Sequence, residues 1–152
     1  MTAKLAENEM SQITAQALNL DEQVAHLLRR AHQRASSLFL SVLGEHQLTP
    51  TQFFAMARLH ERGQLSQNRL GRLAAMDPAT IQGVIRRLEE RGYIQRTPDA
   101  NDRRRMVLRL TSSGSSLVDQ LLDHADGVSE AILEPLETSE RDLFVDLLKR
   151  LT

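Results

Sequence analysis

Three consecutive arginines, Arg103-Arg104-Arg105, follow Asp102 in this chain. Guanidinium groups crowded in this way repel one another, and an anion that accepts from their planar forks of donors relieves the repulsion. A phosphate backbone or the negative potential of a narrow minor groove supplies such a partner. The stretch from Pro98 to Arg105 is too polar to be anything but an exposed turn. A second polar set precedes it at helical spacing: Ala79, Thr80, Gln82, Gly83 and Arg86. In a major groove Gln pairs with adenine, Arg with guanine and Thr with either, while small residues permit close approach. The bland alternative for the arginine tip is a solvated turn that keeps a hairpin edge from aggregating.

Elements of defined type must position these groups. Ser66 caps a helix carrying Leu70, Leu73 and Ala74 on one side, and the chain breaks at Met76-Asp77-Pro78. Asp77 is a good N-cap and Pro78 a good first helical residue. The helix that follows places Ile81, Val84, Ile85 and Leu88 on one buried face and ends at Gly92. The pattern then alternates, so Tyr93–Thr97 and Met106–Leu110 are predicted strands of a hairpin. Helix, tight turn, helix and basic hairpin together suit gripping duplex DNA.

Around this centre the periodicity is helical. Residues 1–19 are polar apart from a weak pattern at Ile13, Ala17 and Leu18, and are either frayed or a short arm that orders on dimerisation. From about Leu20 to Gly44, Val24, Leu27, Leu28, Ala31, Ala35, Leu38 and Val42 draw one apolar stripe beside a polar one of His26, Arg30, Arg34 and Ser41. Thr49 and Pro50 start a helix with Phe53, Met56, Ala57 and Leu59 inward, which Gly63 stops, and Gln64 and Leu65 are placed to add a short strand to the hairpin. Thr111 caps a helix to about Leu133 striped by Leu117, Leu121, Ala125, Val128 and Ile132, widened by Val118 and Leu122. Thr138 caps a last helix with Leu143, Leu147, Leu148 and Leu151 inward. The fold class is mainly α with a small β-wing. The outer stripes fit either an intramolecular bundle or pairing of two copies, and twofold symmetry favours pairing because it sets half-site spacing.

Composition narrows the function. From Leu65 to Thr111 there are ten arginines against five carboxylates, whereas the rest of the chain has nine basic and fifteen acidic groups. A positive middle between negative ends is the asymmetry of a nucleic-acid reader on an acidic scaffold. Cysteine is absent, which removes disulfides and thiolate chemistry. The histidines, at 26, 32, 46, 60 and 124, form no metal-ligand spacing on one helix, and Asp119-Asp123-His124 suits a solvated face. With no glycine-rich phosphate loop, nucleophile elbow or paired carboxylates, neither an enzyme nor a cofactor is expected. No apolar run reaches membrane-spanning length and no leader is visible, so the expectation is a cytoplasmic protein without membrane attachment.

The segment from Leu65 to Gly114 resembles the winged helix-turn-helix of the MarR family of bacterial regulators. The likeness rests on Asp102-Arg103-Arg104, on Leu110-Thr111-Ser112-Ser113-Gly114, on Arg87-Leu88-Glu89-Glu90-Arg91-Gly92-Tyr93-Ile94 and on Leu48-Thr49-Pro50-Thr51-Gln52-Phe53, in family order, within a similarity spanning about residues 20–151. It implies a homodimer joined through its terminal helices: residues 1–47 as arm and first dimerisation helix, 48–111 as the DNA-binding domain, 112–152 as the remaining dimerisation helices. The implied DNA contacts are Ala79, Thr80, Gln82, Gly83, Arg86 and Arg87 on the recognition helix and Arg103, Arg104 and Arg105 on the wing. Arg104 matches the arginine that enters the minor groove, and either Asp102 or Asp77 is implied as the carboxylate that braces it. Oxidant-sensing members that use a reactive cysteine are excluded as parallels.

The runs Leu27–Arg34, Gln67–Leu70 and Asp77–Ile81 look most like the subgroup controlling catabolism of aromatic acids or their coenzyme A thioesters. By their chemistry Arg30 or Arg34 could meet a carboxylate or phosphate, and His32, Ser36, Phe39, Phe53 or His60 could line an aromatic slot; the alternative, favoured for any one of them, is that the arginines face solvent and the aromatics pack in the core. The expected function is a repressor released from a pseudo-palindromic operator by such a ligand. The alternative is a helical interaction module whose basic hairpin docks an acidic protein.

Overall fold

A computed structural model describes residues 19–152 of the chain, without the Leu20 side chain. The pattern at Ile13, Ala17 and Leu18 lies outside the described residues. The chain divides into a smaller unit, residues 1–34, and a larger one, residues 35–152. A short 3-10 turn, Leu20–Glu22, precedes α1, Val24–Leu43, of which the part up to Arg34 belongs to the smaller unit. There Val24, Leu27 and Leu28 are all exposed.

In the larger unit a second 3-10 turn, Gly44–His46, leads to α2, Pro50–Arg62, α3, Gln67–Leu73, and α4, Pro78–Glu90. Strands β1, Ile94–Pro98, and β2, Met106–Leu110, pair antiparallel with Ile94 opposite Leu110 and Pro98 opposite Met106. Leu65 bridges to Leu108 through two backbone hydrogen bonds of 3.1 and 2.8 Å, the short third strand that the sequence suggested. Helices α5, Ser112–Leu133, and α6, Thr138–Lys149, complete the chain. The first strand starts one residue later than the alternation predicts. Tyr93 is still engaged in closing α4, its amide donating to the Leu88 carbonyl at 3.0 Å.

Helix boundaries follow from their caps. Thr49 and Gln52 form a reciprocal box at the start of α2, the Thr49 amide donating to Gln52 Oε1 at 2.9 Å, which satisfies the one buried polar side chain of the described core. Ser66, Asp77 and Thr111 cap α3, α4 and α5. The expectation for α6 needs correction: Thr138 is its first helical residue, and Glu137 with Glu140 forms the capping box. A carboxylate there also complements the positive end of the helix.

Leu48, Met56, Leu59, Leu70, Ile85, Leu88, Leu108 and Val118 are almost wholly buried and knit α2 to α5 and the hairpin into one core. The start of α5 touches Tyr93 so closely that a Cβ at Gly114 would lie 2.0 Å from the Tyr93 carbonyl oxygen. The outer helices differ from expectation. Leu143, Leu147, Leu148 and Leu151, predicted inward, are exposed in the single chain, at 60, 45, 39 and 72 %, as is Leu122 on α5. Arg141 ties α6 to the end of α5 through Glu130 at 3.0 Å and the Leu136 carbonyl at 3.2 Å, so the helix is held by polar contacts while its apolar face stays open.

Candidate nucleic-acid interface

Burying Ile81, Val84, Ile85 and Leu88 obliges the opposite face of α4 to look outward, and Ala79, Thr80, Gln82, Arg86 and Arg87 are all exposed there, with Gly83 half-buried. Asp77 fixes the start of this helix. Its Oδ1 accepts from the amides of Ala79 and Thr80 at 3.0 and 2.9 Å, and its Oδ2 from the Thr80 hydroxyl. The Thr80 hydroxyl is the largest cause, with the backbone amides, of a carboxyl held below the usual aspartate range. Both Asp77 oxygens are therefore engaged within their own helix.

The wing arginine has a different carboxylate. Asp102 Oδ1 accepts from the Arg104 amide at 3.1 Å and from Arg104 Nε at 3.2 Å, while Oδ2 lies 3.5 Å from Arg105 Nε. The turn is further closed by Asp99, whose amide donates to the Arg105 carbonyl at 2.8 Å and whose Oδ1 accepts from the Asn101 amide at 2.8 Å. The Arg104 side chain is nonetheless 93 % exposed. Asp102 holds the stem of the fork and leaves its far edge to solvent; of the two candidate partners, it is the one in contact.

Not every arginine of the basic middle faces outward. Arg91 donates to the carbonyls of Gln47 and His46, both at 2.7 Å, and lies over the Tyr93 ring at 4.8 Å, which staples the turn before α2 to the end of α4. Arg109 donates to Gln64 Oε1. Arg96 on β1 donates from Nε to Glu89 Oε1 at 2.9 Å, and the pair borders a groove of about 440 Å³ between α4 and the wing, lined also by Ala79, Gln82, Gly83 and Arg86. Arg96 and Glu89 were not among the candidate contacts. Their seven-residue separation across a helix end and a turn leaves no local pattern to find them by.

A second site lies in the larger unit. The rings of Phe39, Phe53 and Phe54 form a cluster with centroids 5.2 to 6.0 Å apart, opening on a cleft of about 520 Å³ between α2 and α5. His60 borders it and pairs through Nε2 with Asp119 Oδ1 at 2.9 Å. Arg58 also borders it, bound to Glu61 at 2.8 Å and to the Leu73 carbonyl at the end of α3 at 3.2 Å. The Arg58 hydrogen bond is the main cause of a Glu61 carboxyl held below its ordinary value. Of the predicted slot residues, Phe39, Phe53 and His60 come together here and Ser36 is not among the lining groups. Arg30, His32 and Arg34 lie on α1 in the smaller unit, exposed. Phe54 and Arg58 were missed, although their four-residue spacing puts them on one helix face.

Among the described residues no group of three histidine or carboxylate side chains is placed to hold a metal, and no helix is long and apolar enough to cross a membrane.

Residues 48–106 match the MarR family. The transcriptional repressor NicR of Pseudomonas putida is 38 % identical over 133 residues, covering 88 % of this chain and 84 % of NicR. A solved probable transcriptional regulator from Pseudomonas aeruginosa superimposes with a TM-score of 0.82 at 43 % identity, covering 88 % of this chain and all of that one. BpsR of Bordetella bronchiseptica, whose DNA binding is regulated by 6-hydroxynicotinic acid, superimposes with a TM-score of 0.79 at 35 % identity, covering 86 and 93 % of the two chains.

Proposed function

This chain belongs to the MarR family of transcription regulators, and on that premise we propose that it is a repressor released from its operator by a small aromatic acid or the corresponding coenzyme A thioester. The observation that carries the DNA-binding surface is the grip of Asp102 on Arg104 and Arg105 beside a recognition-helix face that has no carboxylate between Ala79 and Gln82 and is cationic at Arg86. Arg104 enters a minor groove; Ala79, Thr80, Gln82, Gly83, Arg86 and Arg87 face the adjoining major groove, with Arg103 and Arg105 on flanking phosphates. Asp102 braces the wing and Asp77 the recognition helix. The Thr80 hydroxyl, already given to Asp77, contributes shape more than base reading.

Residues 48–111 act as the reading domain, and residues 1–47 and 112–152 join two copies. The exposed leucines of α6 support this, because apolar area left in water is recovered when a second copy covers it. The repressor works in the cytoplasm, where its operator is. The phenylalanine cleft is the effector site, with His60 bordering the ring slot and the remaining edge of the Arg58 fork, beyond its bonds to Glu61 and the Leu73 carbonyl, offered to a carboxylate. Its size suits a single substituted ring. The response of BpsR makes a hydroxylated pyridine carboxylic acid the first compound to try. Arg30, His32, Arg34 and Ser36 stand as further candidates for effector contact. The effector acts by binding the arrangement of the two reading domains that does not fit DNA more tightly than the one that does.

Fluorescence anisotropy with the intergenic duplex upstream of the coding sequence tests this. Binding that outcompetes random duplex and is reversed by 6-hydroxynicotinate is the expected result; binding to both duplexes with equal affinity at every salt concentration overturns the repressor reading.

A further inference from the structure

We propose that Arg96 is a phosphate-binding residue in the groove between the recognition helix and the wing, and that Glu89 is the positioning residue that aims it and limits its grip on non-operator DNA. This rests on the DNA-binding reading above. The groove is walled on one side by Ala79, Gln82, Gly83 and Arg86 and on the other by Arg96, so a backbone strand passing from the major groove read by α4 to the minor groove entered by the wing runs along it. Glu89 takes the Nε of Arg96 at 2.9 Å. No hydrogen bond from the terminal nitrogens is found among the described residues, and the side chain is 41 % exposed, so the outer edge of the fork is presented to the groove. With Nε taken by Glu89, that edge is the one left to bind phosphate bidentately.

Glu89, 30 % exposed, faces the same phosphate path. With Arg96 between them the carboxylate and a phosphate share one cation; without it they repel. The pair is neutral in free protein, so it adds little to long-range attraction and acts only at close approach. A register that brings the backbone fully into the groove gains the contact, whereas a loose nonspecific encounter meets the carboxylate first. Arg86 and Glu90, 3.8 Å apart on the same face, lack this geometry because both side chains are about two-thirds exposed.

The test measures operator and random-duplex affinities of wild type, Arg96→Ala, Arg96→Lys, Glu89→Gln and the double variant across a salt series. Arg96→Ala is expected to bind about ten-fold more weakly at low salt and to lower the slope of log affinity against log salt by about 0.9 for each copy of the chain in contact. Arg96→Lys keeps the charge and most of the slope. Glu89→Gln tightens random duplex more than operator, lowering discrimination, and added to Arg96→Ala it restores part of the lost affinity. Thermal melting shows whether each variant folds; should Arg96→Ala fail to fold, Arg96→Lys and Glu89→Gln decide. An Arg96→Ala protein with an unchanged salt slope, or a Glu89→Gln protein with unchanged discrimination, overturns the proposal. Wild type that ignores all duplexes overturns the DNA-binding reading instead.

Discussion

The winged centre and the last helix of this chain solve the same problem in opposite ways. From Thr49 to Thr111 each helix start has a side-chain cap, Leu65 completes the wing and Arg91 closes the seam between the turn before α2 and the end of α4. That region is covered by its own neighbours, α5 included, whose Leu117, Val118 and Leu121 lie in the same core. Helix α6 is capped and tethered by Arg141, yet its Leu143 is left mostly in water, as is Leu151 just beyond its end. Periodicity reports that a helix has an apolar face; it does not report which surface covers that face. The difference separates a winged centre whose apolar faces are covered within the chain from a last helix whose apolar face is expected to be covered by a second copy.

The contrast is broken most severely at Gly114. An added Cβ 2.0 Å from the Tyr93 oxygen forces α5 away from the end of α4, where Thr111 also donates to the Gly92 carbonyl at 2.6 Å. Gly114→Ala is expected to cost about 3 kcal/mol, the upper end for overpacking, and to lower the melting temperature by roughly 10 °C. A variant melting with wild type would mean that the reading head does not depend on this contact. Leu147→Glu on α6 should act differently. It places a charge on the exposed face proposed to join two copies, at an expected cost of about 2 kcal/mol in assembly from the lost apolar burial, and sedimentation should show dissociation at micromolar concentration with helical content preserved. Loss of fold in a protein that stays paired would reverse the assignment of that face.

Arg104→Ala sharpens the comparison inside the reading head. Arg91 and Arg104 are the same residue type with opposite uses, one bonded to two carbonyls and the other 93 % exposed. Arg104→Ala should leave the melting curve in place and weaken operator binding about thirty-fold, the worth of a charge-assisted contact, as read by anisotropy. Arg91→Ala should do the reverse. Equal effects of both on melting would dissolve the distinction.

Asp77 makes a smaller, pH-dependent contribution. Its carboxyl is held below its ordinary value chiefly by the Thr80 hydroxyl, so the ionised form stabilises the folded state above the unfolded aspartate value, and this is lost as pH falls through the lower folded value. Asp77→Ala should therefore melt below wild type at neutral pH, and the gap should close in acid. A gap that stays undiminished as pH falls through the lowered folded value would locate the effect in side-chain packing instead of ionisation.

Much of this was legible in the chain. Cap residues, prolines and glycines are local signals, and they set α2 to α5 and the hairpin within a residue; the Asp102-Arg103-Arg104 run, by its likeness to a known wing, pointed to the exposed tip. What was not legible depends on residues far apart in sequence. Arg91 looks like one more cation of a basic stretch until the Gln47 carbonyl, 44 positions away, is brought to it. Arg96 and Glu89 meet only because the wing folds back on α4. The choice between Asp77 and Asp102 turned on which oxygens were already taken, a matter of geometry and not of residue type.

The smallest expected effect lies at Ala75, in the turn between α3 and α4. Its φ of +52° places it in the left-handed region, where a Cβ crowds the following carbonyl. Neither of its neighbours offers the chain an easier solution: Ala74 still donates to the Leu70 carbonyl at the end of α3, and Met76 must donate to the Gly71 carbonyl at 2.9 Å to bring Asp77 to the head of α4. Ala75 therefore absorbs the conformational cost of the tight turn between α3 and α4. Ala75→Gly removes the Cβ while raising the entropy of the unfolded chain, opposing terms that should leave a gain of about 0.5 kcal/mol. Chemical denaturation should show a slightly higher midpoint at unchanged slope. A lower midpoint would mean that the alanine methyl contributes packing that outweighs its backbone strain, and the turn would then belong with the well-packed core.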